Sequence, residues 1–294
     1  ILLTNFKLLK LVNNSDDVRL QFSDSMIVLP FYLQNPCFKF SFYLLLLGSL
    51  VACNSNQNVQ STQASTLDTW LATPTNKRTP FSKQAFAFQS IDSSKLESFR
   101  TQLYADRAIS LKTTLKTAWE AKAFQYKSFK MPIQYRIFGT QPYGKRSLFL
   151  SMHGGGATSA AINDQQWYNQ IKLYQPKEGL YLAPRAPTNS WNLWHQAHID
   201  PLFDQIIEAA VLFAGVDQNR VYLTGYSAGG DGTFQLGARM SDRFAAAAMM
   251  AGHPNETKAK AMRNLPFALY MGANDAAYDR NKKAWAWKKD LKDI

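Results

Sequence analysis

Cysteine is nearly absent from this 294-residue chain, which has only Cys37 and Cys53. Both lie near the N-terminus, so the globular remainder has no disulfide framework. Charge is also sparse, at 18% of residues, against about 25% in an average protein. No stretch is biased toward Gly, Gln or one charge over a length that opposes folding. The uncharged apolar run at 40–52 has 13 residues, too few to cross a bilayer as a helix. What the chain does have is 46% apolar residues, enough to build a sizeable core in one large domain or two small ones. It also has a formal net charge of +12, a field that attracts acidic polymers or anionic lipid. The basic residues are dispersed, however. The dense cluster Lys282, Lys283, Lys288, Lys289 and Lys292 alternates with Trp285, Trp287 and Leu291. That is the solvated face of an amphipathic helix, and no nucleic-acid partner is expected.

The short apolar run has the length of a secretory h-region. It ends in Leu50-Val51-Ala52-Cys53, which resembles a bacterial lipobox, and the polar residues 54–66 read as a tether. The resemblance implies that Cys53 is acylated after cleavage. It also implies a protein lipid-anchored to the membrane of the bacterial cell envelope, on its periplasmic or extracellular side. The chain starts with Ile1 and its first methionine is Met26, so residues 1–25 read as upstream translated sequence. The expected division is 1–53 upstream sequence and signal, 54–66 tether, 67–130 helical lead-in, and 131–294 main α/β domain.

Helical character predominates up to about Lys130, with helices predicted at Ser93–Leu103 and Lys112–Phe124. Short β-rich runs follow at Ile133–Phe138, Ser147–Met152, Leu180–Ala183, Val221–Thr224, Ala245–Met250 and Phe267–Met271. Helical patterns at Leu202–Phe213 and Ala228–Met240 separate some of them. Strands alternating with helices predict a doubly wound, mostly parallel sheet covered on both faces. Working sites in such sheets lie at the carboxyl ends of the strands.

Two motifs fall at those ends. Val221–Thr224 runs into Gly225-Tyr226-Ser227-Ala228-Gly229-Gly230, a G-x-S-x-G between a strand and a helix. A serine on so sharp a turn needs minimal neighbours two residues to either side, and Gly225 and Gly229 supply them. The helix opening at Ala228 points its amides toward the site, where they favour developing negative charge. The second motif is Leu148–Met152 running into His153-Gly154-Gly155-Gly156. Glycines there leave backbone N–H groups open to a substrate oxyanion, and Gly155, Gly156 and Ala228 are the candidate donors.

These motifs, with Asn163–Trp167, Ala183–Pro187, Trp191–Trp194 and Met250–Pro254, resemble the esterase, lipase and polyhydroxyalkanoate-depolymerase-like branch of the α/β-hydrolase superfamily. The likeness covers roughly residues 130–280. It implies cleavage of a carboxylic ester, small or polymeric, through an acyl-enzyme on Ser227, with no cofactor. The same elbow also resembles that of prolyl-oligopeptidase-type peptidases. A non-catalytic binding lipoprotein on this fold is the alternative outside enzymes.

The fold orders its triad as serine, acid, histidine. Asp275, just past the strand at Phe267, is the candidate acid, with Asp279 in reserve. No histidine follows: the four are His153, His195, His198 and His253. A serine without a base is a poor nucleophile at neutral pH. The resemblance therefore implies truncation at Ile294, with the last strand and its histidine loop beyond, and a nearly inactive fragment. His253, after the strand at Ala245, is the alternative base. His195 and His198 with Asp200 have a metal-like spacing, but no further ligand accompanies them and no metal is expected. Trp191, Trp194 and His195 are expected to wall a substrate pocket.

Overall fold

The computed structural model describes residues 66–294. The signal-like run, Cys53 and the tether up to residue 65 lie outside the described residues.

The chain forms two compact units, divided at Leu103–Tyr104. In the first, helix α1 (Leu67–Ala72) is capped by Thr66, whose hydroxyl accepts from the Thr69 amide. Three 3-10 turns follow. They bring Phe81 and Phe86 edge-on to Trp70, at 5.4 and 6.4 Å between ring centroids. Helix α2 (Ser93–Glu120) is one 28-residue element, where two shorter helices were predicted. Nothing between Leu103 and Lys112 breaks it, because Ala105, Arg107 and Ala108 are good helix formers.

In the second unit, Leu111, Leu115 and Trp119 recur every four residues along α2 and enter the core. Trp119 stacks on Tyr135 at 5.0 Å. The seven strands are β1 (Ala123–Tyr126), β2 (Phe129–Phe138), β3 (Arg146–Met152), β4 (Gly179–Pro184), β5 (Val216–Tyr226), β6 (Ala246–Met250) and β7 (Phe267–Tyr270). Their spatial order is β1-β2-β4-β3-β5-β6-β7. The first three are antiparallel neighbours, and β4 through β7 run parallel. This mixed sheet, with its serine elbow after β5, is the α/β-hydrolase fold. The sheet starts at Ala123, inside the stretch expected to be helical. The turn residue Lys127, at φ 55°, closes the β1–β2 hairpin there.

Both faces of the sheet are covered, and strand alternation sorts the side chains between them. Leu148, Leu150, Leu180 and Leu182 join the larger core with α4 (Ile199–Ala214) and α5 (Ala228–Arg239). Phe149, Tyr181 and Ala183 face the other way, onto Trp167 and Ile171 of α3 (Ala160–Leu173). Helix α4 buries Ile199, Leu202, Phe203, Ile206 and Ile207 and ends on Gly215 at φ 67°, a left-handed cap. In α6 (Arg280–Lys292) the lysines face solvent while Trp287 is buried against Phe234, 4.7 Å away.

Candidate active site

Ser227 ends β5 at φ 56°, ψ −121°, a conformation a non-glycine residue holds only when its surroundings impose it. Its amide donates to the Met250 carbonyl (3.0 Å) and its carbonyl accepts from the Asp231 amide (3.0 Å). The glycines flanking it are sterically required. A Cβ placed on Gly225 would stand 2.1 Å from the Gly229 oxygen, and one on Gly229 2.1 Å from the Met152 oxygen. The second contact presses the elbow against the end of β3. The triple-glycine turn therefore lies beside the serine: a Cβ on Gly154 would be 3.2 Å from the Ser227 Cβ. Ser227 and Ala228 are half-buried. Ala228 is the first residue of α5, so its N–H is among the helix amides with no intrahelical acceptor.

His153 anchors the turn from beneath. It is 0% exposed, with Nδ1–H donating to the Gly154 oxygen (2.6 Å) and Nε2 accepting from the Ala186 amide (3.1 Å). Those partners fix one neutral tautomer. Burial pushes its pKa down to about 4.

The two expected oxyanion glycines separate by role. Gly155 is exposed at φ 103°, and among the described residues no hydrogen bond engages its amide. Gly156 differs, because its N–H donates to Asn163 Oδ1 at 2.8 Å and is thereby committed. Among the pocket residues, Trp191 is 62% exposed, and its backbone lies against Gly156. His195 meets it edge-on at 5.3 Å, and burial lowers its pKa. Trp194 walls no pocket. It is 0% exposed, and its indole N–H donates to the His153 carbonyl at 3.0 Å. The signal that pointed outward, an aromatic-rich loop, also fits a buried anchor whose one polar atom needs a partner.

Asp275 follows β7, with Oδ1 3.2 Å from Arg280 Nε. Arg280 Nη1 in turn donates to the Ala251 carbonyl (3.1 Å), just past β6. Asp275 therefore lies at the carboxyl ends of β6 and β7, the rim where β5 carries Ser227. Asp279 is exposed and pairs with Lys282 at 3.0 Å. Among the described residues no imidazole is hydrogen-bonded to Ser227. His253 Nδ1 is engaged by Asn255, 2.9 Å from its amide nitrogen and 3.2 Å from its Oδ1. Its own amide donates to Asp231 (2.6 Å), whose pKa burial raises. His198 is buried face-on against Phe129, ring centroids 3.6 Å apart. Among the described residues no three His, Cys, Asp or Glu side chains converge as metal ligands.

A buried polar network lies behind the turn, built from two of the stretches that carry the resemblance and from Asn189, which the sequence did not single out. Arg185 Nε pairs with Asp164 (2.7 Å) and its Nη2 donates to Asn189 Oδ1 (2.6 Å). Asn163 Nδ2 donates to the same oxygen (3.0 Å).

Neither a protein-family model nor a curated protein sequence matches the chain. Solved structures do. The chain is similar to a thermostable esterase, with TM-score 0.48 and 22% identity over 58% of this chain and 51% of that one. A Pyrococcus horikoshii acylaminoacyl peptidase aligns at TM-score 0.42 and 15% identity, over 58% of this chain and 34% of the peptidase. The ferric enterobactin esterase from Salmonella typhimurium aligns at 0.42 and 16%, over 58% and 52%. The matched region thus spans about half the length of the two esterases and a third of the peptidase.

Proposed function

We propose that the protein is a serine hydrolase that cleaves carboxylic esters through an acyl-enzyme intermediate. The observation that carries this reading is the strained Ser227, set against the glycine turn and at the head of a helix. In the reaction, Ser227 Oγ attacks the acyl carbon as its proton passes to a base. The amides of Ala228 and Gly155 hold the oxyanion, and preorganised donors of this kind are worth roughly 100- to 1,000-fold each. Collapse expels the alcohol, which takes the proton back, and water then releases the acid. No cofactor enters the scheme.

Asp275 orients the base in this reading. The histidines described near the rim serve other ends. His153 has both nitrogens engaged, and His253 Nδ1 is engaged by Asn255. Trp191 and His195 flank the substrate. Cys53, acylated, tethers the protein to the bacterial envelope.

A panel of p-nitrophenyl esters and peptide p-nitroanilides, tested on the full-length protein, decides the substrate class. Ester turnover lost in Ser227→Ala supports the proposal. Turnover of peptides alone points to the peptidase reading, and turnover of neither to a binding protein on this fold.

A further inference from the structure

We propose that Asn163 is a positioning residue for the oxyanion turn: it fixes the Gly155–Gly156 peptide plane so that the Gly155 amide stays aimed at the substrate. The inference rests on the reading of Ser227 as nucleophile and adds a residue to it.

Asn163 is 0% exposed, an unusual place for a carboxamide unless every polar atom is answered. It lies in the first turn of α3, directly after the glycine turn, and each of its side-chain atoms has a partner. Oδ1 accepts from the Gly156 N–H at 2.8 Å. Nδ2 donates to Asn189 Oδ1 at 3.0 Å and reaches the Thr158 carbonyl at 3.4 Å. Asn189 is held in turn by Arg185, at 2.6 Å, and Arg185 is itself only 7% exposed. The clamp is thus tied to a second buried side chain rather than to water.

The turn needs such a clamp. Gly155, Gly156 and Ala157 have φ of 103°, 87° and 48°, a left-handed path that no helix or sheet hydrogen bond supports. Free glycine peptides flip readily between orientations. The 154–155 plane, which carries the Gly155 N–H, is held by His153 Nδ1–H on the Gly154 oxygen (2.6 Å), and the Gly156 N–H on Asn163 holds the plane that follows, so Gly155 Cα is pinned from its far side as well. The fit is tight: a Cβ on Gly155 would stand 2.2 Å from Asn163 Oδ1. The carboxamide spends the Gly156 amide on the scaffold and thereby helps keep the preceding Gly155 amide aligned. A donor misplaced by about 1 Å can cost roughly 100-fold in rate.

The test compares wild type, Asn163→Ala and Asn163→Asp, the last of which keeps the acceptor for Gly156. Hydrogen exchange of the 153–159 segment is followed with 221–225 of β5 as the folding control. Asn163→Ala is expected to exchange at Gly156 at least tenfold faster, with β5 protection unchanged, while Asn163→Asp retains protection. Ser227 phosphonylation by a fluorophosphonate is expected to slow roughly 10- to 100-fold in Asn163→Ala and to recover partly in Asn163→Asp. Turnover of p-nitrophenyl acetate is expected to lose kcat with KM within about threefold. Unchanged exchange at Gly156 overturns the clamp. Faster exchange with unchanged phosphonylation overturns its role in positioning. If β5 protection also collapses in Asn163→Ala, the comparison passes to Asn189→Ala, which removes only the outer partner, and wild-type exchange and labelling there overturn the proposal. A wild-type Ser227 that never labels defeats the nucleophile reading itself, which the exchange data separate from failure of the clamp.

Discussion

Acid should weaken this protein through one residue in particular. His153 is folded as a neutral imidazole with both nitrogens bonded inside the protein, and its pKa is lowered from 6.5 to about 4. The unfolded chain binds the proton near 6.5 while the folded one does not until about 4. Its contribution to stability is therefore complete above pH 6.5 and is lost as pH falls from 6.5 to 4. A gap of this size corresponds to about 3 kcal/mol. Other groups titrate in the same window, so the assay must isolate this one. Urea unfolding of wild type and His153→Gln at pH 7 and pH 4 does so by difference. The variant keeps an acceptor for Ala186 but has no group that takes up a proton. It is expected to be less stable at pH 7 by about 1–3 kcal/mol for the bond lost at the Gly154 carbonyl. That deficit should shrink by about 3 kcal/mol, and even reverse, at pH 4. A deficit that stays constant with pH refutes the neutral, buried imidazole.

Trp194→Phe leaves the His153 carbonyl without its donor and leaves a gap in the core where the larger indole packed beside Phe203. Together these cost about 2–5 kcal/mol, so calorimetry should show Tm lower by roughly 5–15 °C; an unchanged Tm contradicts the buried placement. Gly229→Ala forces a methyl into backbone 2.1 Å away and is expected to destabilise by about 3 kcal/mol or more. Wild-type thermal stability in that variant means that β3 and the elbow are not in contact. Trp191→Ala touches only an exposed ring at the rim, so Tm should stay within about 2 °C while KM for bulky esters rises. A large loss of Tm with unchanged KM assigns that ring to packing instead.

The parallel strands were legible because each is a short apolar run between turn residues. β5 and β3 also carry motifs that only make sense at a strand end. Helix α3 was not legible. Its buried face includes Asn163 and Gln170, polar residues satisfied by tertiary hydrogen bonds, so the sequence shows no apolar period there. Gln170 donates to Ser151, and its carbonyl accepts from Tyr181. The β1–β2 hairpin was hidden for a related reason: Ala123–Tyr126 has only Phe124 fully buried, too little for an alternation to register. In the candidate site, the closeness of Ser227 and Ala228 to the glycine turn was readable from spacing because each motif sits at a strand end. Trp194 and Gly156 depend on partners far along the chain, the His153 carbonyl and Asn163, and no spacing rule encodes those.

The proposed chemistry depends on residue 227 being an activated nucleophile. Mass spectrometry of the full-length protein after exposure to a fluorophosphonate reads that directly. One adduct, on the peptide holding Ser227 and absent from Ser227→Ala, is the expected result. Adducts elsewhere, or none while the protein remains folded, would contradict the account.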